Sequence, residues 1–127
     1  MDAKLMNGLT LAYIGDTIYE TYIRKMNIEA GIVHVNELHK HTIKYTCAEY
    51  QAKGILYLIR NNLLTEEEER IFKRGRNSNT NKTRKSLSVE DYNNATGLEA
   101  LMGYLYYEDK LERAYELIKI IVENIEA

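Results

Sequence analysis

A chain of 127 residues is long enough to bury a substantial core and is expected to form one domain spanning 1–127. It has no proline, seven glycines, one cysteine and a formal net charge of −2, which excludes an internal disulfide and, with long amphipathic runs, points to an all-α protein. No apolar run approaches the roughly 20 residues that cross a bilayer, and no basic-then-apolar signal pattern opens the chain, so a cytoplasmic protein without membrane contact is expected.

In chain order, residues 1 to 8 are polar and lead into a first helix expected from Met6 to Met26. There Leu11, Ile14, Ile18 and Tyr22 form one core-facing stripe. Gly15 stands in that stripe, where glycine costs about 1 kcal/mol relative to alanine, so a second helix crossing close by is the expected reason. Asp16 falls on the flank. It is either a solvated aspartate on a helix edge or a carboxylate held beside a tight crossing, which is a candidate metal ligand. Asn27 to Val33 contains Gly31 and reads as a loop. Asn36 is the expected N-cap of a helix reaching Cys47, a small residue within a helix. Cys47 to Asn61 is the next helical run, with Gly54 placed to bend or split it.

Thr65-Glu66-Glu67-Glu68 has the capping-box spacing, and the acidic run suits a helix N-terminus. That helix is expected to end near Lys73-Arg74-Gly75, with Gly75 as its C-cap. Residues 76–87 are almost devoid of apolar side chains and read as a mobile loop. Ser88, with Asp91 three residues on, restarts a helix in which Leu98, Leu101 and Leu105 make an apolar stripe. Glu99 shares a different face with Ala95, Met102, Gly103 and Tyr106. Leu111 to Ile125 is the final amphipathic helix.

Charge is distributed unevenly. Arg70, Lys73, Arg74, Arg76, Lys82, Arg84 and Lys85 form a block with no acid inside it, which leaves ten bases against nineteen acids elsewhere. Such a block attracts polyanions at one place while the remainder repels them.

Two helices each carry a carboxylate near a glycine in packing position: Asp16 beside Gly15, and Glu99 one turn before Gly103. If the glycines mark a crossing, the two carboxylates converge on one ion. Two carboxylates plus waters is how Mg²⁺ is commonly held, because it dehydrates reluctantly. Such an ion activates water or polarises a phosphodiester.

Leu11-Ala12-Tyr13-Ile14-Gly15-Asp16-Thr17-Ile18-Tyr19-Glu20 resembles the signature helix of the ribonuclease III catalytic domain. Leu98-Glu99-Ala100-Leu101-Met102-Gly103-Tyr104-Leu105-Tyr106 resembles that family's second acidic motif. Lys73-Arg74-Gly75-Arg76-Asn77 is similar to a basic motif of the Mini-ribonuclease III branch, which lacks a separate double-stranded-RNA-binding domain, and Leu38-His39-Lys40 lies where that branch has a similar segment. The resemblance covers essentially the whole chain. It implies the helical bundle of the ribonuclease III endonuclease domain, with Asp16 and Glu99 as catalytic, metal-binding carboxylates. It also shows departures: Ala12 and Thr96 stand where the larger enzymes have two further carboxylates. Glu20, one turn beyond Asp16, is either a helper acting through water or a solvated helix residue.

Without a separate RNA-binding domain, phosphate contacts fall to Lys73, Arg74, Arg76, Asn77, Lys82, Arg84 and Lys85. About five such contacts per subunit would steepen the salt dependence by roughly 0.9 log units each, on the calibration for duplex DNA. Recognition of A-form shape rather than base edges is expected. The alternative is a basic loop serving only solubility. His34, His39 and His41 lack zinc spacing. Tyr13, Tyr19, Tyr22 and Tyr106 are expected at helix crossings or a dimer interface.

The resemblance implies a homodimeric endoribonuclease that uses Mg²⁺, with Mn²⁺ able to substitute. It would cleave double-stranded RNA to 5′-phosphate and 3′-hydroxyl ends with short 3′ overhangs. The implied substrate is the 23S ribosomal RNA precursor, with a ribosomal protein as candidate additional partner. The alternatives are a non-catalytic double-stranded-RNA-binding or ribosome-assembly protein with the same fold, and a small helical adaptor.

Overall fold

The computed structural model describes residues 2–79 and 88–127, and among these the chain forms six α-helices and no strand. A 3-10 turn at Ala3–Leu5 precedes α1 (Gly8–Glu29), α2 (Val35–Thr46), α3 (Ala48–Arg60), α4 (Glu66–Arg76), α5 (Val89–Tyr107) and α6 (Leu111–Asn124). No helix among the described residues is long and apolar enough to cross a membrane.

α5 is the central element, packed against α1, α3, α4 and α6. From Asn94 to Leu105 every residue except Glu99 is buried, and Glu99 is largely so. The expected leucine stripe is therefore one part of a helix covered nearly all round. Leu11, Tyr19 and Ile23 of α1, Ile55 and Leu58 of α3, Ile71 and Phe72 of α4, and Leu117, Ile118 and Ile121 of α6 complete the core.

The helix ends follow local chemistry. The Asn7 side chain accepts from the Leu9 amide at 2.7 Å to open α1. Gly31, at φ +95°, turns the chain after it in a conformation side-chain-bearing residues rarely adopt. Thr65 and Glu68 form both arms of the capping box of α4, at 3.1 and 2.9 Å. The Ser88 hydroxyl accepts from the Asp91 amide at 2.9 Å to start α5. Glu68 also accepts two hydrogen bonds from Arg113 of α6, each 2.8 Å, while Arg113 donates to the Leu63 carbonyl. One buried carboxylate thus caps α4 and ties it to α6.

Several expected boundaries move. α1 continues to Glu29, so only residues 30–34 link it to α2. His34, not Asn36, precedes the first turn of α2. Cys47 lies at the junction of α2 and α3 rather than inside a helix. Gly54 does not split α3, which runs unbroken from Ala48 to Arg60. A Cβ there would lie 2.6 Å from Ile121 Cγ2, so its absence lets α6 pack close. Gly75 is not a C-cap: α4 runs on through Arg76, and Asn77 caps it. A Cβ on Gly75 would lie 2.5 Å from Ala100 Cβ, which makes Gly75 a packing glycine at the α4–α5 crossing. Of the expected loop, 77–79 are described, and 80–87 lie outside the described residues.

Candidate active site

The site is built where α1 and α5 cross. A Cβ on Gly15 would lie 1.7 Å from the Glu99 carbonyl oxygen, and one on Gly103 would lie 2.0 Å from the Leu11 carbonyl oxygen. The two helices therefore run antiparallel in backbone-to-backbone contact, Gly15 opposite Glu99 and Leu11 opposite Gly103. That approach carries the next residue, Asp16, to the carboxyl of Glu99, and the two side chains stand within hydrogen-bonding reach.

Burial is the main reason Glu99 resists ionisation. The negative charge of Asp16 adds to it, as does a hydrogen bond that Glu99 makes to Asp16 when protonated, and together they push the Glu99 pKa up to about 8. Among the described residues neither carboxylate has a basic partner at ion-pair distance. Two acids held together without a counter-charge form a locus that a divalent cation would relieve.

The donor set fits a hard, water-rich ion. Among the described residues no cluster of three or more histidine, cysteine, aspartate or glutamate side chains is placed to hold a metal. Ala12 is a buried core residue with no donor. The Thr96 hydroxyl is already engaged, donating to the Tyr92 carbonyl at 3.1 Å and accepting from Asn79 Nδ2 at 3.0 Å. With only two protein carboxylates, the remaining positions would fall to water and phosphate oxygens, as Mg²⁺ accepts.

The other expected residues divide. Glu20 is paired with Arg24 at 2.6 Å and is not among the groups acting on Glu99. Lys73 is exposed and lies 3.8 Å from Glu69. Arg74 donates to the backbone carbonyls of Lys4 and Met6, which clamps the N-terminal turn onto α4 and occupies donors it would otherwise offer to phosphate. The Arg76 guanidinium sits 5.6 Å from the centre of the Phe72 ring and bonds Asn77 Oδ1 at 3.2 Å. Asn77 is the exposed cap of α4. Lys82, Arg84 and Lys85 lie outside the described residues. Tyr19 is fully buried and donates to the Tyr45 carbonyl at 2.6 Å, and Tyr22 meets Tyr115 edge to face. Tyr13 and Tyr106, by contrast, are exposed.

One neighbour of the pair was not anticipated. Gln51, on α3, is only 1% exposed and approaches Glu99 closely enough to favour its ionised form. Nothing local marks it, since a glutamine in an amphipathic helix reads as surface.

Residues 9–110 match the ribonuclease III domain family. The chain is 40% identical over 126 residues to a Mini-ribonuclease 3 of Streptococcus pneumoniae, covering 99% of this chain and 98% of that one. It is 42% identical to the Mini-ribonuclease 3 of Enterococcus faecalis, covering 98% and 94%. A crystal structure of a Fusobacterium nucleatum protein superposes with a TM-score of 0.85 at 35% identity, covering 98% of this chain and 99% of that one. The pair of acids at a glycine crossing is thus set in a known frame: the chain belongs to the ribonuclease III family, in its Mini-ribonuclease III branch, and is an endoribonuclease.

Proposed function

We propose that the chain acts as a single catalytic domain that cleaves double-stranded RNA with Mg²⁺, Mn²⁺ being able to substitute. The observation that carries this reading is the contact between Asp16 and Glu99, two acids with no counter-charge among the described residues, at a crossing that only glycines permit. Asp16 and Glu99 would hold the ion, which when bound activates water and polarises the phosphodiester, leaving 5′-phosphate and 3′-hydroxyl ends. The protein's own part is to keep the two carboxylates together and to bring the duplex to them.

Lys73, Arg76 and Asn77 at the end of α4, with Lys82, Arg84 and Lys85 following in the chain, would supply phosphate contacts, and Arg74 would position this segment. Leu9 and Tyr13 lie one turn apart on α1, Tyr13 being 82% exposed. That apolar surface beside Asp16 supports a homodimer presenting two sites to one duplex. On the resemblance to the Mini-ribonuclease III branch, the proposed role is ribosomal-RNA maturation in the cytoplasm, with the 23S precursor as substrate and a ribosomal protein as additional partner.

The test is cleavage of duplex RNA and of a 23S precursor fragment by the wild type, Asp16→Asn and Glu99→Gln. The wild type should cut with Mg²⁺, leaving 5′-phosphates, while both variants bind duplex without cutting. A wild type that binds and never cuts with either metal would sink the metal-dependent mechanism and favour a binding protein.

A further inference from the structure

Gln51 presents a problem of placement. α3 packs directly on α5, and the Gln51 side chain points into that interface among apolar neighbours such as Ile55 and Leu58 on its own helix. A core position normally takes leucine or methionine, because buried polar groups are nearly always hydrogen-bonded. Gln51 Nε2 is the only buried side-chain nitrogen or oxygen among the described residues with no hydrogen-bond partner. The amide is nevertheless within reach of one polar group, the carboxyl of Glu99, which meets Asp16 from α1 and Gln51 from α3.

An amide suits that position for a chemical reason. A lysine or arginine there would neutralise Glu99 and compete with a cation. A third acid would deepen the repulsion. A glutamine N–H donates to an ionised carboxylate and carries no charge to repel the ion on its far side. With Ala12 and Thr96 offering no ligand, the orientation of Glu99 depends on fewer groups.

We propose that Gln51 is a positioning residue, whose amide N–H fixes the Glu99 carboxylate so that it and Asp16 present their oxygens together to a divalent cation. The proposal rests on the reading of Asp16 and Glu99 as the cation site.

The test is Mn²⁺ titration of the full chain, followed by electron paramagnetic resonance, with urea unfolding in EDTA run in parallel. Gln51→Met keeps length and apolar volume but removes the amide. It should match or exceed the wild type in stability, because no buried donor is left unmet, while Mn²⁺ affinity falls about 10- to 100-fold. Gln51→Asn keeps the amide one methylene short and should show a similar loss of affinity. Unchanged affinity in a folded Gln51→Met overturns the proposal. Should that variant not fold, unchanged affinity in Gln51→Asn overturns it instead. Asp16→Asn separates the two levels: if it binds Mn²⁺ as tightly as the wild type, the cation-site reading itself fails.

Discussion

Replacing Glu99 with glutamine should make the metal-free protein more stable above neutral pH while abolishing cleavage. The magnitude follows from the carboxyl pair. Burial and Asp16 move Glu99 from 4.5 to about 8 in the folded chain. Between those values the folded state keeps a proton that the unfolded state releases, so the contribution of Glu99 to stability is fully present below pH 4.5 and is lost as pH rises toward 8. At pH 7 the resulting cost is about 3 kcal/mol, and less than about 1 kcal/mol at pH 5. Glutamine carries no charge and can donate to Asp16, so it removes this dependence. The assay is urea unfolding of both proteins in EDTA at pH 5, 7 and 9, in which other titrating groups cancel in the difference. The gap should open with pH, and Mg²⁺ should close it by stabilising only the wild type. A gap that stays constant from pH 5 to 9 would refute the claim that the two carboxyls are pressed together.

Gly103→Ala should cost at least ~3 kcal/mol in unfolding free energy, the upper end for overpacking, since its Cβ would meet a backbone oxygen that cannot move aside. Arg113→Ala strands the buried Glu68 carboxylate and should cost about 3 kcal/mol at pH 7. Arg113, through its hydrogen bonds and charge, outweighs burial and holds Glu68 below its ordinary 4.5. The contribution of the pair is therefore present above that value and lost as pH falls through the lower folded pKa, so the acid limb of the stability curve should flatten in the variant. Lys73→Ala with Arg76→Ala should weaken duplex binding and reduce the slope of log affinity against log salt by roughly 0.9 per lost contact, with Mn²⁺ affinity unchanged.

Much of this was legible locally. The capping box at Thr65, the Ser88 cap and the stripes of α5 and α6 depend on residues within a few positions of one another, where backbone geometry alone decides. The two glycine-carboxylate pairs were also legible, because a glycine in a core stripe needs a partner helix and the second glycine supplied one. Boundaries were less so: α1 gains a turn beyond Met26 because Asn27 is buried and bonds Thr42 of α2 at 3.3 Å.

By itself the sequence determined the helical class, the two acids and their shared need of a close crossing, the order of acidic and basic motifs, and the family. Only the tertiary structure decided what each glycine and basic residue does. Gly75 reads as a helix end, but packing against α5 makes it a contact point, and only the fold shows that Arg74 also clamps the N-terminal turn. Only the tertiary structure, too, set the acidity of Glu99 and brought Gln51 to it from 48 positions away in the chain. The division has one cause: periodicity and caps are short-range, whereas burial, proximity of charges and an unmet donor arise only when distant segments share the same space.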